Sequence, residues 1–65
     1  MHYEIRVGGR LSGTMLGAFP ELRAQVQGAE TLLAGQLSDQ AALFGVLARI
    51  EALGLELLEV HRTEG

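Results

Sequence analysis

The second half of the chain contains an amphipathic helix with both a start signal and a stop signal. Ser38 or Asp39 can accept hydrogen bonds from the first amides of this helix, and Gly54 stands where a left-handed C-terminal cap is wanted. The apolar positions between these signals follow helical spacing: Leu43, Val46, Leu47, Ile50 and Leu53. The chain then passes directly into a β-rich segment. The sequence therefore predicts a helix followed by a strand, Leu55–Arg62.

Alternation of apolar and polar residues predicts a half-buried strand near the N-terminus. One face carries Tyr3, Ile5, Val7 and Leu11, and the other carries Glu4, Arg6 and Arg10. Gly8 and Gly9 interrupt this pattern, as glycines do at a bulge or at a close approach of two backbones. The C-terminal strand loses its alternation at Leu57 and Leu58, which indicates either a bulge or burial on both faces.

A short helix and a β-hairpin are predicted between the first strand and the long helix. Ser12 can cap one or two helical turns, which glycines weaken and Pro20 ends. Apolar and polar residues alternate again over residues 22–26, and Gly28 provides a hairpin turn. The returning strand covers residues 31–37.

The order β-α-β-β-α-β predicts an α+β fold of the ferredoxin-like kind. Its four-stranded antiparallel sheet has the order 4-1-3-2, with both helices on one face and a short first helix. All of residues 1–65 are expected to form one domain, and a domain of this size buries only about 60% of the surface that its unfolded chain exposes. The chain has no cysteine, so disulfides are excluded and oligomerisation remains the default aid to stability.

Composition argues against several classes of partner. The net charge is −3, and the five basic residues are scattered arginines, so there is no basic stripe to neutralise phosphates and nucleic acid is not an expected partner. The N-terminus lacks the pattern of a signal peptide, and no apolar run approaches the roughly 20 residues that span a bilayer. The sequence therefore predicts a cytoplasmic protein without membrane association.

A sequence pattern extends over nearly the full length of the chain. It comprises Tyr3, Ile5, Val7, Gly9 and Leu11, then Phe19 and Leu22, then Thr31, Leu33 and Gly35, then Asp39-Gln40-Ala41-Ala42-Leu43 with Gly45, Leu47 and Ile50, and finally Leu53-Gly54-Leu55. The pattern resembles a family of short uncharacterised bacterial proteins with a tyrosine-led first strand and an Asp-Gln-Ala-Ala-Leu helix. This chain has Phe44 where that family often has histidine, and Met15 and Ala18 where it often has tryptophan. The resemblance implies the fold and a non-enzymatic role.

Two groups of residues are weak candidates for binding small ligands or ions. Gly8, Gly9 and Arg10 lie between a strand and a helix, where backbone amides can hold a phosphate, although the spacing fits no known phosphate-binding motif and a bulge is the favoured interpretation. His2 and His61 are brought together with carboxylates if the first and last strands pair, as a divalent metal would require. Solvated strand ends are the favoured interpretation of these histidines.

No pattern of catalytic residues is present. Asp39 and Gln40 are explained by capping, and Glu51, Glu56 and Glu59 indicate a solvated face without a paired nucleophile or a second acid in a pocket. The sequence therefore predicts no enzymatic activity and no cofactor. An enzyme that encloses a substrate between sheet and helices is the least favoured function, because the inward positions are nearly all leucine, valine and isoleucine.

The favoured function is a small interaction module that forms a homodimer or binds a larger protein. Phe44 stands about 100° from Leu43 around the helix, where it either completes the core edge or meets a partner. Apolar residues on the open sheet face favour the second interpretation. The expected contact residues are Arg6, Arg23, Leu32, Ala34, Phe44 and Leu58, and pairing through an edge strand is an equal alternative. The second candidate is a homodimer that senses a small metabolite, with Gly8, Gly9 and Arg10 near the ligand.

Overall fold

The computed structural model describes residues 1–63, so Glu64 and Gly65 of the predicted domain lie outside the described residues. The elements are β1 (His2–Gly8), α1 (Gly13–Leu16), β2 (Arg23–Gln27), β3 (Glu30–Gln36), α2 (Gln40–Ala52) and β4 (Leu57–Thr63). The four strands form one antiparallel sheet in the order β2-β3-β1-β4. The predicted ferredoxin-like α+β fold and its strand order, read from the opposite edge, are confirmed.

The core lies between the sheet and α2. On β1, alternate residues are buried, as the sequence pattern predicts, and α2 buries three residues against them. The buried apolar side chains are Tyr3, Ile5, Val7, Leu11, Phe19, Leu33, Leu37, Leu43, Val46 and Ile50. Burial of these side chains is the main source of stability, since each fully buried aliphatic side chain contributes about 1.5–3 kcal/mol.

The two ends of α2 carry the predicted caps. The Asp39 carboxylate accepts a hydrogen bond of 2.9 Å from the Ala42 amide, and Gly54 has a φ of +73° just beyond the helix. Leu53, predicted as an apolar helix position, follows the last helical residue and is 41% exposed. It lies outside the core because the helix ends before it.

The first helix is a single short segment of four residues. Ser12 caps it as predicted, and its hydroxyl accepts a hydrogen bond of 3.2 Å from the Met15 amide. A helix this short leaves β2 uncovered, and all residues of β2 are exposed. The alternation that predicts β2 therefore does not correspond to burial.

An arginine of α2 fixes the segment between α1 and β2. Arg49 donates one hydrogen bond to the Ala18 carbonyl and forms a two-point contact with Glu21, at 3.2 and 2.9 Å. Its guanidinium also lies 5.6 Å from the centroid of the Phe19 ring. The hydrogen bond from Arg49 lowers the pKa of Glu21 below its usual value. The sequence pattern gave no sign of this contact.

The predicted irregularity in the last strand is a β-bulge. Arg6 pairs with Glu59, but the next residue of β1, Val7, pairs with Leu57, which leaves Leu58 without its own partner on β1. Because Val7 is buried on the helix side, Leu57 belongs to that side as well. The alternative of burial on both faces is wrong, since every residue of β4 except Thr63 is exposed.

Candidate interaction surface

Exposed apolar side chains are concentrated on and beside β4. Leu57 and Val60 are opposite the buried residues Val7 and Ile5, so both lie on the helix side of the sheet, yet they are 45% and 37% exposed. Leu53, at the end of α2, is 41% exposed. We refer to Phe44, Leu53, Leu57 and Val60 as the β4 rim. Soluble domains rarely leave such a group of apolar side chains in water without a function for it.

Phe44 belongs to the β4 rim because of its position on α2. It is 61% exposed and lies within about 60° of Leu47 and Glu51 around the helix axis. Leu47 and Glu51 border a groove of about 390 Å³ whose other wall includes Leu55 and Leu57. The exposed ring therefore lies on the β4 side of the helix and extends the apolar surface along α2.

The backbone of Val60 is directed toward the outer edge of the sheet. Met1 and Leu37 exchange two backbone hydrogen bonds, of 2.7 and 3.0 Å, at the start of β1. Along an antiparallel strand, the backbone N–H and C=O groups of successive residues point alternately to the two neighbouring strands. Ile5 is four residues after Met1, so its backbone groups also point toward β3. On β4, the strand on the other side of β1 from β3, Val60 is opposite Ile5. Its N–H and C=O therefore point away from β1.

The open face of the sheet is mainly charged. Arg6 contacts Glu59 at 2.9 Å and Glu30 at 3.5 Å, and its Nε is buried without a hydrogen bond. His61 is opposite Glu4 in the adjacent row. A shallow depression of about 300 Å³ lies over these side chains, bordered also by Leu32 and Gln27. This face differs from the apolar sheet face that the sequence suggested, because the apolar residues there are outnumbered by ionic ones.

The six predicted contact residues fall into two groups. Arg6, Arg23, Leu32 and Ala34 belong to the open face, with Arg23 opposite Ala34 and Arg6 opposite Leu32. Phe44 lies on the β4 rim and Leu58 at the bulge of β4. The sequence did not identify Leu53 and Val60 of the β4 rim, and it favoured Leu57 or Leu58 on the open face, whereas Leu57 lies on the helix side. Their signal was the apolar content of the last strand, which the predicted strand order already placed at an edge, but only the structure shows that α2 leaves these side chains exposed.

The two histidines lie in neighbouring rows of the sheet. His2 is opposite Thr63 and contacts its hydroxyl at 2.5 Å, whereas His61 is opposite Glu4. Over residues 1–63, no three side chains among histidine, aspartate and glutamate form a group that could hold a metal ion. The pairing of the first and last strands was predicted correctly, but it brings each histidine beside a different neighbour.

The glycine-rich loop after β1 is bonded to its own chain. The Gly8 amide donates to the Glu56 carbonyl at 2.8 Å, and the Gly9 amide donates to the Ala29 carbonyl at 2.7 Å. These two amides would have to leave their partners to hold a phosphate. Arg10 is exposed beside them. A ligand site at Gly8, Gly9 and Arg10 stays a prediction, and the hydrogen bonds favour the structural role of this loop.

The fold and the exposed edge define a small α+β domain of the ferredoxin-like kind with an apolar rim along one edge strand. The chain belongs to the family described as Domain of unknown function (DUF8691), whose model matches residues 2–61. No curated protein and no solved structure matches the chain. Neither helix within residues 1–63 has the length and apolar character needed to cross a membrane.

Proposed function

We propose that this protein is a small non-catalytic interaction module that associates with a second copy of itself or with a larger protein. The observation that carries this proposal is the exposure of the β4 rim beside an edge strand. Apolar surface contributes about 25 cal/mol for each Å² removed from water, so covering the rim favours association. The cytoplasmic location and the absence of catalysis are part of the proposal.

The sequence of β4 also lacks two of the residues that most strongly block pairing at an edge. Proteins commonly place lysine or proline on exposed edges to prevent pairing with other strands. Leu57–Thr63 contains neither residue, and it is apolar at Leu57, Leu58 and Val60. The bulge lies at the start of the strand, so the regular segment from Glu59 to Thr63 remains suited to strand pairing with a partner.

Light scattering over a concentration series tests this proposal. We expect a mass near twice the 7.0 kDa of one chain at high concentration, falling toward one chain on dilution. A mass of one chain at all concentrations would refute association with itself. A different protein partner would then be sought by capture experiments with the wild type and Leu57→Gln. A partner that binds the β4 rim must bind this variant less well than the wild type.

The second candidate is a homodimer that senses a small metabolite. The depression on the open face favours it, because Glu4, Glu59, Arg6 and His61 offer charges of both signs to a small zwitterion. Thermal unfolding in the presence of free amino acids tests it, since a ligand that binds only the folded state raises the melting temperature. If a rise occurs, it should be lost in Arg6→Gln. No rise with any amino acid would exclude this class of ligand.

A further inference from the structure

We propose that two copies of this chain pair through the outer edges of their β4 strands, antiparallel to each other, about a two-fold axis at Val60. The two four-stranded sheets then become one continuous sheet. This inference rests on the proposed function, and it specifies the partner as a second copy and the interface as β4. Main-chain hydrogen bonds across the axis would use the outward N–H and C=O of Val60.

The strand at the other edge of the sheet is less suited to this role. β4 has seven residues and β2 has five. The side chains of β2 are mainly polar, with Val26 as its large apolar residue, and among residues 1–63 the β4 rim has no counterpart beside β2. Pairing through β4 would therefore form more main-chain hydrogen bonds and bury more apolar surface than pairing through β2.

The register follows from symmetry and charge. A two-fold axis perpendicular to the sheet keeps the helix face and the open face on their own sides, so the axis must place one residue opposite its own copy. An axis at Glu59 places two carboxylates opposite each other, and an axis at His61 places two imidazoles opposite each other. An axis at Val60, the midpoint of β4, pairs the full strand and places Glu59 opposite His61 of the second copy.

The Val60 register produces ionic rows across the open face. Within one chain Glu59 contacts Arg6 at 2.9 Å, and His61 is opposite Glu4. In the dimer, one row of side chains across the joined sheet consists of Arg6 and Glu59 of one copy followed by His61 and Glu4 of the second copy. The two-fold axis creates a second, identical row. Each imidazole then lies between two carboxylates, and each Glu59 lies between two basic groups. Arg6 and Glu59 are opposite charges across a strand pair, and the imidazole N–H of His61 can donate a hydrogen bond to a facing carboxylate, so both kinds of contact stabilise the pairing.

On the helix face, the same register brings apolar groups together. Val60 is opposite Val60 of the second copy, and the two β4 rims approach the axis from opposite sides. The 37% of Val60 that is exposed in one chain is covered by this contact. This single register therefore places polar partners opposite each other on the open face and Val60 against its own copy on the helix face. Arg62, opposite Tyr3, also lies on the helix face and comes opposite Leu58 of the second copy.

Disulfide trapping tests the position of the axis. The chain contains no cysteine, so Val60→Cys introduces a single thiol on the axis, where antiparallel partners have Cα atoms about 5.5 Å apart and can form a disulfide. We expect rapid formation of a covalent dimer on mild oxidation. Val26→Cys is the matched control, because Val26 is 42% exposed on β2 and should cross-link only by slow random collision. Equal rates for the two variants would overturn the proposal.

Proline substitution tests the backbone contact. Val60→Pro removes an N–H that points outward, so it leaves the bonds between β1 and β4 in place. Two symmetric hydrogen bonds are lost at the axis, and we expect dimer affinity to fall by about 30-fold or more. Val26→Pro makes the same change on β2. Val26 is opposite Thr31, whose backbone groups bond toward β1, so the N–H of Val26 also points away from the sheet. This substitution should leave the affinity unchanged.

The results separate this inference from the proposed function. A dimer lost in Val26→Pro but kept in Val60→Pro would overturn the β4 interface while leaving association intact. A dimer kept in both variants would overturn it as well and would favour the open face. A wild type that is monomeric at all concentrations would refute both the β4 pair and association with itself. Circular dichroism of each variant identifies loss of folding, and the cysteine variants decide the case if a proline variant unfolds.

Discussion

At the scale of single residues, Thr31 connects the hairpin to the loop after β1. It is the buried polar residue among the described residues of the core, with no exposed surface. Its hydroxyl donates to the Gly9 carbonyl at 2.8 Å and accepts from the Leu11 amide at 3.2 Å. One hydroxyl therefore satisfies two backbone groups that the turn of the chain would otherwise leave without partners. The position accepts threonine because the hydrogen bonds offset the cost of burying the hydroxyl.

We expect Thr31→Val to lower the free energy of unfolding by about 1–3 kcal/mol, because the substitution preserves shape but leaves the buried Leu11 amide without an acceptor and removes the hydrogen bond to the Gly9 carbonyl. Urea denaturation measures this difference. Thr14→Val is the matched control, since Thr14 is exposed on α1 and its substitution should change stability by less than about 0.5 kcal/mol. Equal effects of the two substitutions would show that the hydroxyl of Thr31 has no structural role.

At the scale of elements, the contact between Arg49 and Glu21 determines how the segment before β2 lies on α2. The four residues of α1 bury little, but Phe19 in the following segment is 2% exposed and anchors it to the core. The two-point hydrogen bond at 3.2 and 2.9 Å, with the ring of Phe19 below the guanidinium, adds a polar contact to this packing.

This contact predicts a small loss of stability in acid. The pKa of Glu21 is lower in the folded chain because of the hydrogen bond from Arg49, so its contribution is complete above the unfolded pKa near 4.5. It is lost as the pH falls below that value and through the folded pKa. Both side chains are 37% exposed, which limits the effect to about 1 kcal/mol or less.

Unfolding measurements at pH 7 and pH 3 check this expectation with a mutant cycle. Glu21→Gln should destabilise the protein at pH 7 and have less effect at pH 3. In the background of Arg49→Met, the pH dependence of the Glu21→Gln effect should disappear, because the carboxylate has lost its cation. If the pH dependence persists in that background, Arg49 is not its cause.

At the scale of the whole molecule, the domain is at the lower limit of size for independent folding. Its helices cover the sheet unevenly, so β2 is exposed on one edge and the β4 rim on the other. A chain of 65 residues without cysteine gains stability most readily from association. The proposed interface covers the rim and pairs the longer of the two edges.

Thermal unfolding should therefore depend on protein concentration. A folded dimer that unfolds to separate chains has a melting temperature that rises with concentration by mass action. We expect a rise of several degrees over a hundredfold range for the wild type, measured by circular dichroism and calorimetry. A melting temperature that stays constant while light scattering reports a dimer would mean that association does not contribute to folding.

The order of elements, the caps of α2, the irregularity at Leu57 and Leu58 in β4 and the family of folds could all be predicted from the sequence, although the choice between a bulge and burial on both faces could not. Each depends on local information: Asp39 and Gly54 mark the ends of a helix by their own chemistry, and alternation on β1 reports which face is buried. The arrangement of the strands in the sheet then followed, because only a few topologies are possible for this succession of strands and helices.

Only the tertiary structure decided which apolar residues remain exposed and which charged residues meet. Leu57 and Val60 occupy inward positions by pattern, yet they are exposed because β4 is an edge strand beside the end of α2. Arg49 reaches Glu21 across 28 positions of sequence, and Arg6 reaches Glu59 through strand pairing. The sequence determined the elements because their signals are local, whereas the surface depends on register and coverage, which arise only when distant segments pack together.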